Sequence, residues 1–172
     1  MRVTSMRMNL KAAGLILLTS ILSGCSSSAV LTTVGDFISG RGFTKTDLEQ
    51  ITIKAETDAN RTSPTAIDVV FVYDESVFSL LPKTGPEWFK KKDELEANLS
   101  KFMDISPVEI PPTFVLKSVT LPKRYSTALK VVAYANYLNK KGQKPIELGS
   151  FIHPQLTLKA KTIVYGETKK EG

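Results

Sequence analysis

Apolar and polar residues alternate from Gln50 onward: Ile51, Ile53 and Ala55 fall on one parity, and Thr52, Lys54 and Glu56 on the other. A period of two predicts a half-buried strand with one wet face. Asp58-Ala59-Asn60-Arg61-Thr62-Ser63-Pro64 then supplies turn chemistry. Ala66 to Tyr73 resumes as a second strand, with Ile67, Val69, Phe71 and Tyr73 on one side. The two strands are expected to form a hairpin.

The period changes once. Thr84-Gly85-Pro86-Glu87 has capping-box spacing, with Thr84 as N-cap, Glu87 three residues on and a proline in the first turn. Trp88, Leu95, Leu99 and Phe102 follow at intervals that put them on one helical face, with Lys90, Lys91, Asp93, Glu94 and Glu96 largely elsewhere. A helix from Pro86 to Met103 is predicted, preceded by a helical turn over Ser76 to Leu81 that Pro82 ends.

After Asp104 the pattern returns to strands, punctuated by Pro107, Pro111, Pro112 and Pro122, which suit edge strands and turns. Thr113 to Leu121 reads as a strand with weak facial preference. Leu129, Val131, Ala133, Ala135 and Tyr137 give the cleanest alternation and predict a central strand. A turn at Asn139-Lys140-Lys141-Gly142, a strand over Ile146 to Ile152 and a last strand over Gln155 to Tyr165 complete the series. In the last, Ile163 and Tyr165 break the parity set by Leu156, Leu158 and Ala160, which predicts a bulge near Lys161. The fold class expected is mainly β: a two-sheet β-sandwich with one helical insertion at about 75–103.

The amino-terminal part has another logic. Arg2, Arg7 and Lys11 precede an apolar run from Ala12 to Leu22 that is too short to span a bilayer, as in a secretory signal peptide. It ends in Leu22-Ser23-Gly24-Cys25, which resembles the bacterial lipobox. That resemblance implies cleavage before Cys25, a diacylglycerol on its thiol and acylation of the new amino group. Each buried acyl methylene contributes about 0.8 kcal/mol, so several chains on one residue anchor firmly where one would not. Ser26 in place of aspartate resembles an outer-membrane sorting signal, so the expected location is the periplasmic face of the outer membrane. The expected division is a signal peptide over 1–24, a lipidated cysteine and tether over 25–45, the sandwich over 46–166 and a charged tail over 167–172. Within the tether, Val30 to Val34 and Phe37-Ile38 are apolar enough to dock on the domain instead.

Composition narrows the chemistry. The formal charge of +6 includes three positive residues of the signal peptide, which leaves +3 on 148 mature residues. That balance is too mild and too evenly spread to argue for nucleic acid. Cys25 is the single cysteine and His153 the single histidine, so no intrachain disulfide and no Cys/His metal cluster is expected. The chain has no phosphate-cradling glycine loop, nucleophile elbow or Cys-His pair. Asp74 and Glu75 are adjacent carboxylates that point apart on an extended chain, and Lys90-Lys91-Lys92 reads as a solvated helix face. No catalytic residue, metal or cofactor is expected; loops on a rigid sandwich point instead to a binding or assembly part.

Asn60-Arg61-Thr62-Ser63-Pro64, followed by Ile67-Asp68-Val69-Val70-Phe71-Val72-Tyr73 and a helical stretch, resembles the first hairpin of the TssJ family, the outer-membrane lipoproteins of type VI secretion systems. The resemblance implies a transthyretin-like sandwich with a helical insertion. It also implies that the loop between the first two strands binds the periplasmic domain of the inner-membrane protein TssM. By position that loop is Asp58, Ala59, Asn60, Arg61, Thr62, Ser63 and Pro64, with Asn60 and Arg61 as its hydrogen-bonding and charged elements. The segment after Tyr73 is longer than the usual family pattern, as in a divergent branch. Two other readings fit the same residues: a lipoprotein binding a small ligand or cell-wall polymer in a cleft lined by Trp88 and Phe89, and a pilotin-like factor for another secretion channel.

Overall fold

The computed structural model describes residues 44–167; the predicted signal peptide, Cys25, most of the predicted tether and the tail from Thr168 lie outside them. Among the described residues, eight strands form two four-stranded sheets. The first sheet is ordered β4-β1-β7-β8, from β1 (Thr52–Ala55), β4 (Val115–Leu116), β7 (Pro154–Leu158) and β8 (Ile163–Glu167). The second is ordered β3-β2-β5-β6, from β2 (Thr65–Val72), β3 (Met103–Ile110), β5 (Lys130–Ala135) and β6 (Ile146–Glu147). Every pairing is antiparallel except β1 with β7. The mainly β sandwich with a helical insertion is therefore present.

The expected hairpin between β1 and β2 is not. The two strands belong to opposite sheets, and the loop between them arches across the end of the sandwich. Alternation specified correctly that Ile51, Ile53 and Ala55 face the interior, where they meet Ile67, Val69 and Phe71 of β2. It carries no information on which strand each one hydrogen-bonds to.

β2 is covered on both faces. Ile67, Val69 and Phe71 face the sandwich core; Val70 and Val72 face a second core under helix α1 (Gly85–Leu99), together with Trp88, Met103, Val132 and Tyr134. β5 shares both cores and lies between β2 and β6, as its alternation predicted. Pro107 sits in β3, an edge strand, where its missing N–H does no harm.

Helix α1 begins as expected: the Thr84 hydroxyl accepts from the Glu87 N–H at 3.3 Å. It ends four residues earlier than the helical pattern suggests. Met103 pairs with Val72 at the start of β3, so the second sheet claims the residues that would have formed the last turn. Phe102 accordingly lies outside the helix and is exposed, leaving Trp88, Leu95 and Leu99 as the stripe. The preceding helical turn is a 3-10 segment, Glu75–Leu80, capped by the Asp74 carboxylate, which accepts from the Ser76 N–H at 2.9 Å.

Three strand expectations shrink. Thr113 to Leu121 pairs only at Val115–Leu116, and Ile146 to Ile152 only at Ile146–Glu147. The single last strand is two: residues 159–162 turn the chain, Lys159 N–H donating to the Thr162 carbonyl at 3.0 Å, and β8 returns along β7. The parity break near Lys161 marks that turn rather than a bulge.

Two polar devices hold the helix on the sheet. Asp68, buried in β2, accepts from Trp88 Nε1 at 2.8 Å and from Lys92 Nζ at 3.1 Å, while the Trp88 ring stacks on Tyr134 at 4.6 Å. At the other end, α1 has no basic residue in its last turn. Arg124 supplies the missing cation: it donates to the carbonyls of Ser100 and Lys101 and, through Nε and Nη2, to both oxygens of Asp104. Tyr73 donates its hydroxyl to Asp104 at 2.8 Å and lies under the guanidinium at 4.0 Å.

Candidate functional site

The loop between β1 and β2 is built on an uncommon backbone. Asn60, Arg61 and Thr62 have φ of 47°, 56° and 63°, a left-handed turn with no glycine in it. Each such residue costs about 1–2 kcal/mol, asparagine least and a β-branched threonine most. Conformations of this kind persist only when the surroundings fix them, and they cluster where a loop must present its side chains in one arrangement.

Asn60 does the fixing. It is 1% exposed, and its side chain reaches three backbone groups. Oδ1 accepts from the Leu138 N–H at 2.8 Å, and Nδ2 donates to the carbonyls of Pro64 and Asn136, both at 3.4 Å. Its own N–H donates to the Lys159 carbonyl at 3.0 Å and lies 3.3 Å from the Tyr137 hydroxyl. That hydroxyl in turn donates to the Lys159 carbonyl. Burial pushes the Tyr137 hydroxyl above the ordinary phenol pKa, so it stays a donor across the physiological range. Gly142 touches the same ring; a Cβ there would come within 2.3 Å of Tyr137 Cδ1.

Of the seven loop residues singled out from the sequence, Ala59 and Asn60 face inward, Ser63 is half-buried, and Asp58, Arg61, Thr62 and Pro64 are exposed. The hydrogen-bonding capacity assigned to Asn60 is thus used within the domain. The outward chemistry of the loop comes from Arg61 and its neighbours, and the Arg61 guanidinium makes no hydrogen bond or ion pair among the described residues.

The same end of the sandwich carries a second strained turn. Thr113 has φ of 70° in the Pro111–Phe114 turn, where Phe114 N–H donates to the Pro111 carbonyl and Thr113 N–H to that of Glu56. A type II turn would normally place glycine at that position. Leu138, 60% exposed, projects from the loop after β5. Sequence reasoning passed over Leu138, although the parity that buries Tyr137 places this leucine on the wet side.

The other singled-out residues take structural places. His153 Nε2 lies 3.0 Å from Glu49 Oε2 at the surface. Lys91 pairs with Glu87, and Lys92 with Asp68. Trp88 is fully buried, so it does not line the ligand cleft that one reading placed beside it. Among the described residues no group of three or more His, Cys, Asp or Glu is placed to hold a metal ion, and no helix is long and apolar enough to cross a membrane.

No family model matches the chain, and no curated protein matches its sequence. Solved structures do match. The type VI secretion lipoprotein TssJ1 from Pseudomonas aeruginosa aligns with a TM-score of 0.53 at 13% identity, over 69% of this chain and 94% of that one. Serratia marcescens Lip, a membrane-bound component of the type VI secretion system, aligns with a TM-score of 0.49 at 11% identity, over 70% of this chain and 96% of that one. At such identities the likeness concerns the fold, and the fold comparison rests on the first. The described domain has the two-sheet fold of the type VI secretion lipoprotein TssJ1.

Proposed function

We propose that this protein is an outer-membrane lipoprotein of a type VI secretion system, held by acyl chains on Cys25, whose sandwich docks the periplasmic domain of a TssM-like inner-membrane protein. The lipobox-like Leu22-Ser23-Gly24-Cys25 and the likeness in fold to TssJ1 support the anchor and the setting. The observation that carries the docking role is the Asp58–Pro64 loop: its left-handed turn is fixed from within by Asn60, while Arg61 stands outside with no side-chain partner among the described residues. A turn built only to connect β1 and β2 would gain from glycine at these positions.

The role is that of a tether rather than a catalyst. A rigid loop lowers the ordering cost of association, so a modest surface can bind a partner specifically. The test is binding of the full chain, in detergent, to the periplasmic domain of the TssM-like protein from the same cells. Saturable binding that Arg61→Ala weakens at least tenfold supports the reading; no binding by the folded wild-type protein refutes it.

A further inference from the structure

The left-handed loop is one of four chain segments that meet at the same end of the sandwich. Thr113 N–H reaches the Glu56 carbonyl, Asn60 N–H the Lys159 carbonyl, and Leu138 N–H the Asn60 side chain. These bonds join residues 56–64, 111–114, 136–145 and 159–162 into a single surface. Its charge is lopsided. The cations on it are Arg61, Lys140, Lys141, Lys144, Lys159 and Lys161, against the carboxylates Glu56 and Asp58. Residues 44–167 as a whole hold 17 cations and 15 carboxylates, so the remainder of the domain is slightly net negative and the net positive charge lies at this end. Among the described residues, Lys159 alone of the six has an ion-pair partner, Glu56 at 3.2 Å.

An exposed apolar residue stands among these charges. Leu138 is 60% exposed, yet its backbone is tied to the buried Asn60 and its chain neighbour Tyr137 is locked against Lys159. A preorganised apolar anchor surrounded by a charged rim is the usual anatomy of a specific protein interface.

Resting on the docking role above, we infer that the partner meets this whole end through an acidic protein surface, with an apolar socket for Leu138 and carboxylates facing Lys140, Lys141 and Lys161. A second copy of this chain is a poor occupant, since two like-charged ends would face each other. Lysine rims act chiefly on encounter, so the basic loops set the association rate and its salt dependence, while Leu138 and Arg61 set the lifetime of the complex.

Full-length protein in detergent and the periplasmic domain of the TssM-like partner would be followed by surface-based kinetics at low and high salt. The double variant Lys140→Glu/Lys141→Glu is expected to slow association about tenfold at low salt, with the difference largely gone near 0.5 M salt. Leu138→Ser is expected to speed dissociation about tenfold with association little changed. Both variants should melt like the parent, since the side chains are exposed. Wild-type binding with rates that neither variant alters would overturn the inference and leave the docking role standing. Absence of wild-type binding would remove both. A preference of the Cys25→Ala chain for vesicles of about one-third anionic lipid over neutral ones, lost with the lysine pair, together with unaltered partner kinetics, would overturn the inference and assign the basic end to a membrane.

Discussion

Asn60 and Leu138 lie 78 residues apart in sequence and are joined by a 2.8 Å hydrogen bond from the Leu138 N–H to the buried Asn60 amide oxygen. The bond connects the arch between the two sheets to the loop leaving the central strand β5, so the shape of one loop depends on the other. It also explains why a left-handed turn without glycine is stable here: the amide ties the turn to three backbone groups, on its own loop and on the loop after β5.

Asn60→Ala should therefore destabilise the domain by about 1–3 kcal/mol, because it strands the Leu138 N–H and removes the side chain that best tolerates the left-handed region. Equilibrium urea unfolding measures this. Partner binding should fall even though Arg61 and Leu138 are untouched. A variant with parental stability would show that the amide bonds do not hold the loop.

Arg61→Gly separates strain from recognition. At φ of 56° glycine relieves a cost of about 1–2 kcal/mol and adds about 0.5–1 kcal/mol of unfolded-state entropy, so stability should be unchanged or slightly higher. Binding to the partner should nonetheless weaken. The pair of thermal melting and affinity measurements distinguishes a strained functional turn from an ordinary connection.

The helix anchor gives a third expectation. Lys92→Ala leaves the buried Asp68 carboxylate with Trp88 Nε1 as its remaining partner, and Trp88→Phe leaves it with Lys92. Each should cost about 1–3 kcal/mol in urea unfolding. Trp88→Ala should cost about 3–5 kcal/mol, since it also empties the space against Tyr134.

Acid stability should depend on Asp104. Hydrogen bonds from Arg124, and secondarily from the Tyr73 hydroxyl, hold its carboxyl below the ordinary value of 3.8. A depressed carboxylate stabilises the fold fully above its unfolded pKa, and that contribution is lost as pH falls through the lower folded value. Asp104→Asn should thus be less stable than the parent at neutral pH and show a shallower decline below about pH 4. Asp74 and Glu87, also lowered, by Ser76 and Lys91 respectively, keep part of that decline in the variant.

Cys25→Ala tests the anchor directly. Metabolic labelling with a palmitate analogue should mark the wild-type protein and not the variant, and the variant should leave the outer-membrane fraction. Label retained by the variant would remove Cys25 as the acyl site.

What the sequence determined by itself was local. Parity along Ile51 to Ala55 and Leu129 to Tyr137 gave buried faces, because side chains alternate across a strand whatever it pairs with. Thr84, Pro86 and Glu87 gave the start of the helix, because a cap involves only residues three apart. The position of the exposed loop followed from its turn residues. Tertiary structure decided the rest. Whether β1 pairs with β2 or crosses to the other sheet depends on which ladder satisfies its backbone groups, and β7 and β4 do so from far along the chain. Pairing of Met103 with Val72 fixed where the helix ends. Most of all, the pairing of the buried Asn60 with the loop that carries Leu138 is a proximity set by long-range hydrogen bonds that no local pattern encodes.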